Sequence, residues 1–565
     1  GYAGDYRLSV VEVEPPGLVD SIKGVTALDT AGPVYVYFAR AGDRYTVGSD
    51  LYIANGVNTY ERDQLWSIFE GVERFADIDF RITTSRAQAD LEWATDGLES
   101  SLLGFFFFPT QSGEGGFGLL NDGSGRWSDR PGGGLDRGGF MYGVAIHELG
   151  HGLGLGHTHD GGNGTQLMQG VSWSGSHGDF DLNQTVFTAM SYNDGWVTGP
   201  NGQPPGNAYG YGASFGAIDI AALQEVYGAN TSHAGGDDIY RLDDANGPDT
   251  GYATIWDTGG FDTMLYQGAR DVSIDLRAAT LSYREGGGGF VSYAEGVHAG
   301  LTIAHGVVIE AAESGAGDDS LGGNGADNWL TAGAGDDTLR GHGGDDWLDG
   351  GTGGDFLNGG AGLDTVMFVN AAEGVKADLA SGKGSRGEAA GDLYIGIEDL
   401  IGGRHTDDLR GDAAQNRIEG GNGADGLHGR QGDDELVGGG GSDRLYGNLG
   451  ADLMTGGSGF DRFVYFAASD SGIGQQDRDR ITDFEQGKDR MDLAHLFDRS
   501  ETSRDDQLAL IGGARFSSDA GELRYFQNRV AELTIVEADL DGDGAADLQI
   551  ELAGLLTLVR EDFLL

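Results

Sequence analysis

After about residue 310 the sequence becomes periodic, and the period is nine. Gly350-Gly351-Thr352-Gly353-Gly354-Asp355-Phe356-Leu357-Asn358 shows the unit as Gly-Gly-x-Gly-x-Asp-x-aliphatic-x. Asp319, Asn328, Asp337, Asp346, Asp355 and Asp364 take the sixth place, and Leu321, Leu330, Leu339, Leu348, Leu357 and Val366 the eighth. A second run has Asp407, Asn416, Asp425, Asp434, Asp443, Asp452 and Asp461 in the sixth place. Its eighth places are Leu409, Ile418, Leu427, Leu436, Leu445, Met454 and Phe463. Asp407 follows Asp364 by 43 residues, not a multiple of nine, so the spacing predicts two blocks. Each unit reads as a tight turn, permitted by the glycines, and a short strand with its aliphatic residue pointing inward. Two units make one coil, so turns on one side of the stack recur every 18 residues.

A flexible Gly/Asp linker would not hold thirteen apolar eighth places in register. Stacked turns bring carboxylates and carbonyls together, an oxygen cage suited to several structural Ca²⁺ ions. The eleven sixth-place aspartates are the candidate ligands, with Asn328 and Asn416 marking weaker or modified sites. The pattern resembles the RTX parallel β-roll. Between the blocks, Thr365 to Val369 and Leu393 to Ile397 read as strands. Near the end, Asp539, Asp541 and Asp543 are spaced like half an EF-hand loop, but Ile550 stands where the glutamate belongs. That stretch is either a Ca²⁺ site or an acidic hairpin turn.

Upstream lies His147-Glu148-Leu149-Gly150-His151-Gly152-Leu153-Gly154-Leu155-Gly156-His157, or His-Glu-x-x-His-x-x-Gly-x-x-His. On a helix His147 and His151 share one face, while Ala145, Leu149 and Leu153 form a row suited to burial. Gly154 can end the helix in left-handed geometry and let the chain return with His157. Three neutral imidazoles suit one catalytic Zn²⁺ with a fourth position open for water, and Glu148 is placed to take that water's proton.

Acidic side chains outnumber basic ones by 90 to 35, a formal charge of −55. This argues against nucleic acid and anionic membranes as partners. It calls for bound cations or a salty medium. With no cysteine, disulfides contribute nothing. No run approaches ~18 apolar residues, so no membrane insertion is expected. The first residues show no basic-then-apolar signal peptide. An export address is therefore expected elsewhere, or already removed, and a propeptide preceding Gly1 stays open.

Residues 33–39 read as a buried strand, and Asn58 with Glu61 as a helix start followed by Leu65, Ile68, Phe69, Val72 and Phe75 at helical spacing. Ile78, Phe80 and Ile82 alternate, as do Ala89, Leu91 and Trp93, which predicts two more strands. Residues 104–109 read as a core strand. Ser214 to Tyr227 reads as a helix stopped by Gly228.

The zinc motif, followed by Thr188-Ala189-Met190-Ser191-Tyr192 and then by the repeats, resembles the serralysin branch of the metzincin zinc endopeptidases. The resemblance runs from about residue 30 to the C-terminus. It implies an α+β metzincin catalytic domain, with a mixed sheet plus helices, followed by an all-β parallel β-roll. The implied domains are 1–230 protease; 231–310 lead-in strands of the C-terminal β domain; 311–370 first roll block; 371–401 intervening strands; 402–466 second block; and 467–565 a β cap with the secretion signal. Met190 would floor the imidazoles, and Tyr192 would reach the zinc or the oxyanion. Asp257, Gly259 and Asp262 would hold a further Ca²⁺. Gly116, Phe117, Gly118, Leu119 and Leu120 would form the edge strand that pairs with substrate. Implied partners are protein or peptide substrates, a proteinaceous inhibitor and the type I secretion apparatus of a Gram-negative bacterium, with an extracellular monomer as product. Glu561-Asp562-Phe563-Leu564-Leu565 is either that secretion signal or an ordinary last strand. Two features depart from the family: the second block lengthens the roll, and the loop from His159 to Val186, which borders the cleft, differs. The alternative reading is a calcium-dependent surface adhesin or S-layer-associated protein with a non-essential protease head.

Overall fold

The apolar run Val34–Phe38 is the parallel strand on which the N-terminal part is built, pairing with Phe80–Ile82 on one side and Leu91–Asp96 on the other. The computed structural model describes residues 17–98, 102–110, 115–496, 508–517 and 519–565. The first sixteen residues, on which the signal-peptide reading falls, lie outside them.

The sheet continues from Leu91–Asp96 to Phe117–Asn121 in parallel, and then to Gly104–Phe106, antiparallel. Strand order is Phe80–Ile82, Val34–Phe38, Leu91–Asp96, Phe117–Asn121, Gly104–Phe106. This corrects two expectations. Gly116 to Leu120 is not an edge: Phe117–Asn121 is bonded on both sides, and Leu119 and Leu120 are buried. Nor is 104–109 a core strand, because Gly104–Phe106 forms the free antiparallel edge. The reason is chain reversal. Gly104–Phe106 turns back on itself and adds outside its successor, an order no local pattern reveals.

Helix α1 (Thr59–Phe75) starts as the sequence predicts, with a capping box. Glu61 N–H donates to Asn58 Oδ1 at 3.0 Å, and Asn58 N–H donates to Glu61 Oε2 at 2.7 Å. Leu65, Ile68, Phe69, Val72 and Phe75 are buried, and Phe69 meets Trp93 and Phe80 of the sheet edge-on. Helix α2 (Phe140–Gly152) and helix α3 (Ala217–Tyr227) complete the layer.

The chain divides into two compact units. One runs to Tyr266 and includes Asp275–Ile309, and the other is Gln267–Ile274 with Glu310–Leu565. Most of 231–310, expected to lead into the C-terminal domain, thus belongs to the first unit. Tyr252–Ile255 pairs with Gly300–Ile303 there, and Tyr252 O and Thr254 N–H bond to Ala213 and Ser214.

In the second unit every coil contributes one strand to each of two parallel sheets. Leu321, Leu339 and Leu357 stack 18 residues apart in one sheet, and Leu330 and Leu348 in the other, all fully buried. The two blocks form one roll. Leu348 pairs with Val366, Val366 with Leu400 and Leu400 with Ile418, so one apolar ladder crosses the interruption. In the other sheet an antiparallel meander fills the step. Leu393–Ile395 stacks on Phe356–Ala361, reverses through Lys383–Arg386 to Lys376–Asp378, and the latter pairs in parallel with Asp408–Arg410. Residues 371–401, read from the sequence as intervening strands, supply strands to the stack itself. Phe563–Leu564 pairs in parallel with Arg490–Asp492, so this part of the last pentapeptide is a strand of the roll.

Candidate metal centres

Helix α2 buries Ala145, Leu149 and Leu153 beyond its end, as the motif predicts. It stops where expected. Gly154 takes φ +99°, and a Cβ there would strike the Thr26 carbonyl at 2.2 Å. The chain then returns with His157.

Each imidazole is held by its Nδ1. His147 donates to Ala189 O at 2.7 Å, His151 to Leu155 O at 2.8 Å, and His157 to Asp160 Oδ2 at 2.9 Å. This leaves all three Nε2 atoms as lone-pair donors converging on one point. His157 Nε2 lies 3.2 Å from His147 Nε2 and 3.1 Å from His151 Nε2. A tetrahedral ion with arms of ~2.0–2.1 Å needs edges of about 3.3 Å, so this donor set fits zinc. Burial, reinforced by neighbouring imidazoles, holds His147 well below the ordinary histidine value and His151 down at about 4. Both are thus neutral, as ligands must be.

Glu148 is buried beside the edge strand and accepts the Phe106 N–H. Burial pushes its carboxyl up to about 8. A Cβ on Gly104 would lie 3.3 Å from its Cγ. The Tyr192 hydroxyl lies 3.0 Å from His157 Nε2. Beneath the imidazoles Met190 is fully buried, and its Sδ lies 2.6 Å from where a Cβ on Gly150 would be. The turn carrying Met190 hangs on a carboxylate the sequence reading missed. Asp219 accepts Thr188 Oγ1–H at 2.7 Å, Ala189 N–H at 2.6 Å and Gly216 N–H at 2.9 Å. Its only sequence signal was its place in the first turn of α3. Asp160 was missed too, as was His159, which stacks on His157 at 4.8 Å.

In the roll the sixth-place aspartates are buried, and each links two coils. The N–H groups of Asp319, Asp337, Asp346, Asp425, Asp434 and Asp443 donate to Oδ1 of the aspartate 18 residues on, at 2.7–2.9 Å. The other oxygen, Oδ2, of Asp319, Asp337, Asp346, Asp355, Asp364, Asp425, Asp434, Asp443, Asp452 and Asp461 is buried with no hydrogen-bond partner. A Cβ on Gly341 would fall 2.0 Å from Asp346 Oδ2 and 2.6 Å from the Gly359 carbonyl; Gly420 and Gly438 give the same picture with Asp425 and Asp443. These oxygen-lined cradles suit Ca²⁺. Asp407 differs, since its two oxygens accept from Val375 and Gly403 N–H. Asn328 and Asn416 turn Nδ2 to the carbonyls of Glu310 and Glu398, where an aspartate would present oxygen.

A family model described as Peptidase M10 serralysin C terminal matches residues 217–381 and 359–565. The chain belongs to that family. Serralysin of Proteus mirabilis is 38% identical over 198 residues, 33% of this chain and 36% of that protein. Serralysin G of Dickeya chrysanthemi is 38% identical over 200 residues, 34% and 37% of the two chains. Metallopeptidase AprA of Pseudomonas marginalis is 35% identical over 195 residues, 32% and 37%. The chain thus matches little more than a third of the length of these curated relatives.

The serralysin-type C-terminal part begins with α3, so it contributes Asp219 beneath the histidine cluster. Further along, Asp257 and Asp262 are brought together with Asp238, which the sequence reading missed. Gly259 N–H donates to Asp257 Oδ1 at 2.8 Å, in a turn where Gly259 takes φ +130°. Asp539, Asp541 and Asp543 also cluster, in the turn of the hairpin Leu533–Asp539 and Leu548–Ala553. The Asp539 oxygens are engaged by Gly542 and Gly544 N–H.

Proposed function

We propose that this chain is a secreted zinc-dependent endopeptidase stabilised by calcium. The observation that carries the reading is the convergence of three Nε2 atoms beside a buried glutamate that touches the free sheet edge. A bound zinc supplies carbonyl polarisation and acidification of water. His147, His151 and His157 hold it, with their tautomers fixed by Ala189 O, Leu155 O and Asp160. The free edge of Gly104–Phe106 receives the substrate main chain as a further strand. Glu148 takes the proton of the attacking water and returns it to the leaving amine. Burial alone pushes the Glu148 carboxyl up to about 8, and a dication close by would hold it as the carboxylate that accepts the proton. Tyr192 donates its hydroxyl to the oxyanion. Met190 supports the imidazoles from below.

The similarity to serralysins and to a metallopeptidase supports this reading of activity and substrate class. The roll, through its orphaned carboxylate oxygens, takes up Ca²⁺ outside the cell. The test is casein turnover by zinc-loaded protein, with and without a chelator, beside Glu148→Ala. The variant is expected to keep its fold and bound zinc and to lose activity by roughly 10²-fold or more. Full turnover by metal-loaded Glu148→Ala would refute the assignment.

A further inference from the structure

Three arginines stand in one cross-strand row of the roll. Arg444 pairs in register with Arg462, and Arg462 with Arg490, on consecutive parallel strands. Their neighbours Leu445, Phe463 and Met491 are fully buried, so the arginines lie on the outer face. Strand spacing sets their stems about 4.8 Å apart. Like charges directly opposite one another destabilise a sheet, so such a row is costly unless something anionic covers it. The surrounding cations are neutralised: Lys376 and Arg410 by Asp408, Arg430 by Asp378, and Arg417 by Glu435. Among the described residues no carboxylate pairs with Arg444, Arg462 or Arg490. Acidic residues are not scarce in a chain with 90 of them. The row borders an open groove of about 390 Å³, lined also by the buried Asp443 and Asp461, by Lys488, which pairs with Glu485, and by Phe460, which is 64% exposed.

We propose that this groove binds a linear acidic polysaccharide, its anionic groups meeting successive arginines and one sugar ring lying against Phe460. Guanidinium groups grip carboxylates and sulfates bidentately. A polymer with one anionic group per sugar can meet a row that repeats at the strand interval. An exposed aromatic ring beside the cations offers an apolar face that a globular acidic protein surface would leave unused.

The experiment uses the full zinc- and calcium-loaded chain and three labelled probes at low salt. These are a short oligogalacturonate that stays soluble with calcium, a heparin oligosaccharide of equal charge, and oligothymidylate. The first two arms separate carboxylate from sulfate as the recognised group. At least one saccharide is expected to bind, with affinity falling as salt rises. Combined Arg444→Ser, Arg462→Ser and Arg490→Ser should weaken it by at least about tenfold, while Arg417→Ser on the other sheet changes nothing. Without sugar the triple variant should melt no lower than the parent, because only repulsion has been removed. Arg462→Gln alone, which deletes the middle charge, keeps the test open if the triple variant fails to fold, and must also weaken binding. Undiminished binding by the folded variants, no saccharide binding by the parent, or equal affinity for oligothymidylate would each overturn the proposal.

Discussion

At the residue scale, Tyr192 is half exposed, and its hydroxyl is 3.0 Å from His157 Nε2. If that hydroxyl serves the oxyanion, Tyr192→Phe should lower kcat by about 10²-fold and change KM far less. Steady-state kinetics on a peptide would show this, and an unchanged kcat would leave Tyr192 as packing. Asp160 acts through His157. Replacing it by Asn removes the charged acceptor of the Nδ1 proton, and zinc affinity should fall by about 10–100-fold in a chelator competition. The histidines and Glu148 were legible because a helix period and one glycine stop are local facts. Asp160 and Asp219 were not, because each reaches its partner from a loop or another helix with no period to announce it.

At the scale of elements, two glycines of α2 make opposite predictions. A Cβ on Gly150 meets Met190 Sδ at 2.6 Å, whereas on Gly143 the nearest atom is 3.6 Å away. Gly150→Ala should therefore destabilise by about 1–3 kcal/mol through overpacking. Gly143→Ala should stabilise by about 0.5–1 kcal/mol by removing a helical glycine. Thermal melts of both single variants test the pair, and equal shifts would mean that the Met190 contact sets no constraint. The start of α1 and the end of α2 were readable from their caps. The sheet edge was not. Residues 104–109 and 117–121 carry similar apolar signals, and only strand order decides which one has free N–H groups.

At the scale of the molecule, the roll should respond to calcium and to pH in coupled fashion. Burial pushes the carboxyls of Asp337, Asp346, Asp425, Asp434 and Asp452 up to about 7, from an ordinary value of 3.8. A carboxyl with a raised folded pKa binds more protons folded than unfolded between those values. Its stabilising protonation is complete below about pH 4 and lost as pH rises through about 7. Calcium-free protein should thus show more strand by far-UV circular dichroism at pH 5 than at pH 8. Millimolar Ca²⁺, binding the carboxylate form, should erase that difference, and its folding midpoint should fall to lower concentration as pH rises. Equal strand content in excess EGTA and in millimolar Ca²⁺ at pH 8 would refute calcium-driven folding. The nine-residue period made the coils legible down to the inward leucines. It suggested two blocks because the meander over 376–395 breaks the count, although the apolar ladder from Leu348 through Val366 and Leu400 to Ile418 does not break.

The buried sixth-place carboxylate links between coils all point the same way, whereas the exposed Asp318, Asp327, Asp336 and Asp345 accept from the coil that follows. In the buried links a turn's N–H groups are satisfied by an aspartate that comes later in the chain, as Asp425 serves Asp407 and Asp443 serves Asp425. At the far end Asp452 and Asp461 lean on Asp479 and Asp489, outside the repeats, and Asp479 N–H is met locally by Ser471. In these buried links the stack is polar in the sense that a growing filament is polar, with a seed at its C-terminal end and extension toward the N-terminus. Removing the seed should leave the buried N–H groups of Asp452 and Asp461 without their carboxylate partners. Removing the first coils should shorten the stack and spare the rest. A chain that met calcium with its C-terminal end leading could close coil upon coil as it arrived, and each closed coil would hinder its slipping back.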